Sequence, residues 1–121
     1  MTYLELLMIG FGGFLGAIIR YFMSTRMNQS GRVPVGTLTV NLAGAFLIGC
    51  VFGLELSRIW TFFLASGLAG ALTTFSTMNK ELIELWRNDH KKKALLYVLI
   101  TYCGGIILAL FGYHLGAIYI C

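Results

Sequence analysis

The sequence predicts an all-α membrane protein of four transmembrane helices, the third broken near its middle, in a single domain over residues 1–121. Three observations predict it. The 121 residues are 58% hydrophobic and only 12% charged, with a mean hydropathy of +0.81, whereas soluble domains run about 45–50% apolar and about 25% charged. Too few polar side chains exist to cover a water-soluble surface, and so apolar a chain does not stay disordered. Four runs, residues 6 to about 23, 33–54, 59–79 and 94–121, are free or nearly free of acidic and basic residues. Each approaches or exceeds the roughly 20 residues that a helix needs to cross a hydrocarbon core of about 30 Å. Finally, the centre of the third run is crowded with hydroxyls, which weakens a helix there.

The first run is crossed by Arg20, about two-thirds along it. Its start carries only Glu5 and it is too long for a signal core, so it is expected to stay as a span. A polar connection from Arg26 to Arg32, with Asn28, Gln29, Ser30 and Gly31, leads to the second run. Pro34 suits that helix's first turn, where its missing N–H loses nothing. Residues 55–58 join runs two and three, and the charged stretch 81–93 joins runs three and four. Backbone groups find no water in lipid, so all four runs should be helical.

Charge placement gives an orientation. Four spans put both termini on the side of the 55–58 connection, which carries only Arg58 as a basic residue. The opposite side carries Arg26, Arg32, Arg87, Lys91, Lys92 and Lys93. Lys and Arg accumulate in cytoplasmic loops, so these connections are expected inside a cell membrane and both termini outside. The run His90-Lys91-Lys92-Lys93 reads as this topological anchor rather than as a nucleic-acid site; acidic lipid is its other natural partner. With three Cys, no C-x-x-C pair, and His90 and His114 far apart, no disulfide scaffold or zinc site is expected. Cys50, Cys103 and Cys121 read as small packing residues. No nucleophile–base pair is visible, so an enzyme is not expected.

Glycine spacing predicts close helices. Gly12 and Gly16, Gly49 and Gly53, and Gly112 and Gly116 each form G-x-x-x-G, and Ser66/Gly70 and Gly105/Ala109 extend the pattern. In lipid, small residues let helix backbones approach, so packing is the first reading of these pairs.

Polar residues inside a span are costly and point to function. Arg20 can snorkel to the interface, clasp another helix or attract an anion. Thr37, Asn41 and Gly44 stand at i, i+4 and i+7, on one face of helix two. The Asn41 amide can donate two hydrogen bonds, to another helix or to a passing ligand. In helix three, Gly70-Ala71-Leu72-Thr73-Thr74-Phe75-Ser76-Thr77-Met78 holds four hydroxyls within five residues. A break there would free carbonyls at the bilayer midplane, where broken helices mark ion and substrate sites. The bland alternative is that these hydroxyls bond back to the preceding turn. No acidic residue lies mid-span. A proton-coupled cation exporter normally needs such a carboxylate and a cation pore would want acidic rings. Asn, Thr and Phe with a nearby Arg suit a small anion.

Three segments carry a resemblance: 13–21 (GFLGAIIRY), 36–44 (GTLTVNLAG) and 67–77 (GLAGALTTFST). In their spacing and over essentially the whole chain, they resemble the Fluc, or CrcB, family of fluoride channels. The resemblance implies an antiparallel, dual-topology dimer with two fluoride pores. It implies a structural sodium ion at the subunit interface, held by the backbone carbonyls of Gly70 and Thr73. Asn41 and Phe75 would line the fluoride path, with Thr37, Thr74, Ser76, Thr77, Met78 and Arg20 as further candidates along it. Fluoride is small and tightly hydrated, so a selective pore must replace its water with donors. The amide, the hydroxyls and the positive edge of a Phe ring can supply them.

The sequence departs from the family pattern in three ways. Met78 stands where a second Phe is usual; at i+3 from Phe75 it shares that face, and Met is a soft, non-aromatic substitute. Gly105 and Ala109 stand where hydroxyl residues are common in helix four. The charge bias is strong for a chain that must insert both ways up, which makes one half of a heterodimer the expected assembly. The remaining alternatives are a small multidrug exporter, also four-span and dimeric, and a non-conducting assembly subunit.

Overall fold

The computed structural model describes residues 2–27, 34–73 and 75–120, the side chains of residues 75 and 120 excepted. Among the described residues there is no strand. Four segments are long and apolar enough to cross a bilayer: Tyr3–Met27, Val35–Leu54, Arg58–Arg87 and Lys91–Tyr119. The protein is therefore a multi-pass membrane protein.

Helix α1 spans Tyr3–Met27 and α2 spans Val35–Leu54. Pro34 is the cap of α2 rather than its first-turn residue, one position earlier than expected, and its carbonyl accepts the Leu38 N–H at 3.0 Å. The cap that ends α2 is Glu55, in the left-handed conformation (φ 53°, ψ 47°) that turns the chain sharply back. Helix α3 covers 58–72 in continuous pieces: α-helical Arg58–Thr61, π-helical Phe62–Ala69 and α-helical Gly70–Leu72. Wide π-turns are uncommon and favour functional sites. The Thr73 N–H still bonds back to the Ala69 carbonyl at 3.1 Å, but Thr73 itself is extended (φ −78°, ψ 155°). Helix α4 follows over Phe75–Arg87 and helix α5 over Lys91–Ile120.

The charged stretch 81–93, expected as a connection, is mostly helix, and the turn between α4 and α5 is only 88–90. The reason is periodicity. Met78, Leu82 and Leu85 recur at i, i+4 and i+7 among the charges, which is the pattern of an amphipathic helix. Leu85 and Met78 are buried with Ala94 and Tyr97, and Leu82 packs on them. Asp89, left-handed at φ 61°, makes the tight return, and the His90 N–H closes it on the Leu85 carbonyl at 2.9 Å.

Two close pairings build the bundle: α1 against α3, and α2 against α5. The three G-x-x-x-G pairs make them. A β-carbon on Gly12 or Gly16 would strike the Phe63 or Leu68 carbonyl of α3. Likewise Gly49 and Gly53 bare the α2 backbone to the carbonyls of Ala109 and Tyr113, while Gly112 and Gly116 admit Phe46 and Cys50 from the other side. These pairs are packing residues, as lipid demands. On α3 the close approach is made by Gly67 against Ile9 and Gly12, not by Ser66 or Gly70, which are exposed. Stacked Phe11 and Phe63, 6.0 Å apart, continue the α1–α3 seam. At its end Glu5, which is buried, receives the Arg58 guanidinium at 3.4 Å.

Candidate functional site

A groove of about 340 Å³ opens between α2, the α3–α4 junction and α5. Its walls are mostly apolar: Ala45, Ile48, Met78, Gly105 and Ile106. Polar groups enter at Asn41, Thr73, Thr101 and Tyr102. An apolar cleft with a few convergent polar groups is the usual form of a ligand site. No acidic side chain lines it.

Each element places its residue for a local reason. Asn41 is half-buried on the α2 face that also carries buried Thr37 and Gly44. The Thr73 methyl packs against the bare α-carbon of Gly44. Its hydroxyl bonds back to the Ala69 carbonyl at 3.0 Å, which holds the side chain while the backbone turns away. Opposite, on α5, the Thr101 hydroxyl is buried without a hydrogen-bond partner among the described residues. A buried unsatisfied hydroxyl is unfavourable and marks a place where a polar guest gains a partner.

The model of the family described as "CrcB-like protein, Camphor Resistance (CrcB)" matches residues 7–113. The chain belongs to the CrcB family. It is 38% identical over 117 residues to the fluoride-specific ion channel FluC 2 of Lactobacillus johnsonii, covering 95% of this chain and 98% of that one. To FluC 2 of Lactobacillus delbrueckii subsp. bulgaricus it is 40% identical over 114 residues (91% and 96% of the two chains). The fluoride-specific ion channel FluC 1 of Geobacillus kaustophilus is 39% identical over 111 residues, again 91% and 96%.

Within this CrcB chain, the groove brings together three of the site residues expected from the sequence, Asn41, Thr73 and Met78, with Gly105 of α5. Met78 is buried at the groove's edge. Thr37, fully buried one turn before Asn41, hydrogen-bonds the Glu81 side chain of α4 instead of lining the groove. The Tyr97 hydroxyl of α5 sits beside both, without a well-formed hydrogen bond. Thr77 is half-buried and Ser76 exposed on α4, and neither lines the groove. Arg20 is half-buried on α1, a helix that contributes nothing to the groove. Gly70 is exposed near the end of α3. Thr74 and the Phe75 side chain lie outside the described residues.

Sequence reasoning missed Thr101 and Tyr102, which line the groove, and Tyr97 and Glu81 beside it. A signal was present: Tyr97, Thr101 and Gly105 recur every four residues, so they share one face of α5. Thr101 thus brings a hydroxyl to the groove one turn before Gly105 on that face.

Proposed function

We propose that this chain is a subunit of a fluoride-selective channel that lets cytoplasmic fluoride leave the cell passively. The observation that carries the reading is the groove, where neutral donors converge and no carboxylate is present. The Asn41 amide and the Thr101 and Tyr102 hydroxyls can each donate to an anion that has shed water. A cation exporter would need an acidic group at this place, which weighs against that alternative. The names of the FluC relatives support the ion's identity. Hydrofluoric acid enters uncharged and dissociates inside, so an inside-negative potential drives fluoride out and relieves its toxicity.

The same reading includes a third helix broken near its middle, and the extended Thr73 backbone supports it. A helix end leaves its last carbonyls without intrahelical partners. Neutral carbonyl oxygens are ligands that a hard monovalent cation accepts, so the donor set at Gly70 and Thr73 fits sodium. Bound there, sodium would supply fixed positive charge between the helices. The partner is a second subunit of the family in antiparallel orientation. The six basic residues on one side against Arg58 on the other support a heterodimer with a partner of opposite bias, and termini outside the cell.

The deciding experiment is fluoride-electrode efflux from liposomes holding the purified chain, alone and with a paralogue of opposite charge bias. Fluoride movement without chloride movement is expected, and it should be fuller with the partner. Equal passage of chloride would overturn the selectivity. Full activity of the lone chain would overturn the heterodimer and leave the channel standing.

A further inference from the structure

The α4–α5 hairpin carries a second cleft, of about 360 Å³, that shares no residue with the groove. Its origin is the packing just described. Leu85, Ala94 and Tyr97 close one side of the hairpin. On the other side the small Ala94 leaves a gap between larger neighbours. Leu82, Ile83, Trp86, Leu95 and Val98 wall it, and Arg87 closes its polar end. Ile83, Trp86 and Leu95 are more than half exposed, so the cleft opens outward from the subunit.

Charge is concentrated at one end of this apolar slot. The Lys91 ammonium lies 5.0 Å from the centre of the Trp86 ring, which holds it at the rim of the cleft that Arg87 also lines. Residues 84–93 hold four basic side chains against Glu84 and Asp89, and neither acid lines the cleft. The third span ends at Arg87 and the fourth begins at Lys91, so this rim lies where the bilayer meets water. From Lys91, the wall descends to Val98, about 10 Å into the hydrocarbon at 1.5 Å per residue. Trp at the rim matches the preference of that ring for the headgroup level.

We propose that the cleft binds an anionic glycerophospholipid. Its acyl chain lies along Leu82, Ile83, Leu95 and Val98, and its phosphate meets Arg87 and Lys91. A planar guanidinium is suited to paired phosphate oxygens and the ammonium adds a point charge. A zwitterionic headgroup would bring a quaternary or primary ammonium to a rim that offers it no carboxylate. The site does not depend on which ion the groove conducts, so its test is separate from that of the channel.

The test uses the full chain, purified in a neutral detergent, with added phosphatidylglycerol or phosphatidylcholine. Retained lipid is read by native mass spectrometry and stabilisation by thermal melting. Phosphatidylglycerol should be retained and raise the melting temperature, and phosphatidylcholine should do neither. Arg87→Gln and Lys91→Gln should each weaken phosphatidylglycerol about five-fold, the usual worth of one surface cation toward anionic lipid. Leu95→Trp, at an exposed position, should fill the cleft and lose the lipid while its lipid-free melting temperature stays at the parent value. Arg26→Gln, basic but on α1, should change nothing. Equal retention of the two lipids would overturn the proposal. So would undiminished retention by Leu95→Trp, or a loss with Arg26→Gln as large as with Arg87→Gln, because binding would then be a general basic belt.

Discussion

Gly44 of α2 lies with its bare α-carbon against the methyl group of Thr73, the residue where the third span leaves its helix. Two effects oppose each other if Gly44 becomes Ala. Ala favours a helix interior by about 1 kcal/mol over Gly. Overlap with a packed neighbour costs about 1–3 kcal/mol. The β-carbon would clash with the Thr73 methyl, so the second effect should win. Gly44→Ala should lower the melting temperature and cut fluoride efflux at least ten-fold. Thr73→Ser removes the methyl and keeps the hydroxyl bond to Ala69. The double variant Gly44→Ala/Thr73→Ser should recover most of both losses, and no recovery would show that the contact does not set the position of Thr73.

Gly49 and Gly10 separate packing from propensity. A β-carbon at Gly49 meets the Ala109 backbone, which has no flexible end to swing aside, while Gly10 has open space around it. Gly49→Ala should destabilise the subunit by about 2 kcal/mol, within the usual range for overpacking. Gly10→Ala should stabilise it by up to about 1 kcal/mol through helix propensity. Reversible unfolding in mixed micelles, followed by circular dichroism, measures both, and equal effects would remove the distinction.

How much of this was legible in the sequence differs by element. The four spans follow from charge-free runs, because lipid penalises charge at every depth. Helix packing at Gly12, Gly16, Gly49 and Gly53 was legible because spacing alone places small residues on one face. The helix over 80–87 was not read from charge density, since a window that counts charges hides the Met78, Leu82, Leu85 stripe. In the site, Asn41 stood out as an amide in an apolar run. Thr101 did not, because its spacing with Tyr97 and Gly105 marks a shared face of α5 but points to a site only once α2 is laid against that face. The bond from Thr37 to Glu81 joins residues forty-four positions apart and depends on how α2 meets α4.

Asn41 and Thr101 face one groove from two helices, so their removal should act on conduction more than on stability. Asn41→Ala should reduce fluoride efflux at least ten-fold. A lost hydrogen bond to a charged partner is worth about 1.5–3 kcal/mol, which sets ten-fold as the lower bound of the loss. Thr101→Val keeps shape, removes a hydroxyl with no partner among the described residues, and should leave the melting temperature unchanged or higher while lowering efflux. Loss of assembly in either variant, seen as a shift in size-exclusion elution, would reassign it to a structural role. Met78→Phe puts at the groove's edge the ring expected there from the family pattern and should raise fluoride efflux in the same assay, and unchanged efflux would show that Met78 does not limit the path.

Glu5 and Arg58 join the start of α1 to the start of α3 at 3.4 Å. The carboxylate is nearly buried, with its side chain 10% exposed, while the guanidinium is 69% exposed and stacks on Phe62 at 5.5 Å. An exposed partner limits the worth of the pair to about 0–1 kcal/mol. Removing only Arg58 leaves a shielded carboxylate, which is the more unfavourable outcome. Arg58→Ala should therefore destabilise more than Glu5→Gln, and Glu5→Gln/Arg58→Ala should be more stable than Arg58→Ala alone. A double-mutant cycle on melting free energies reads the coupling, and strictly additive values would show that the two charges do not interact.

Removing sodium tests the proposed junction between subunits directly. Any ligand that binds only the assembled state stabilises it by mass action, so assembly should fall as the ion is withdrawn. At one hundred times its dissociation constant the ion would contribute about 2.7 kcal/mol, a hundred-fold change in the equilibrium. Purified protein moved from sodium to a large organic cation at equal ionic strength should therefore shift from dimer toward monomer and lose fluoride efflux. Returning sodium should restore both. Equal ionic strength matters, because screening of the basic connections would otherwise mimic the effect. Thr73→Ala keeps the backbone carbonyl and should keep the sodium dependence. Thr73→Pro removes the N–H that bonds to Ala69 at 3.1 Å, disturbs the helix end, and should abolish the dependence together with assembly. Dimers that persist unchanged without sodium would leave the carbonyls of Gly70 and Thr73 with no ion to hold.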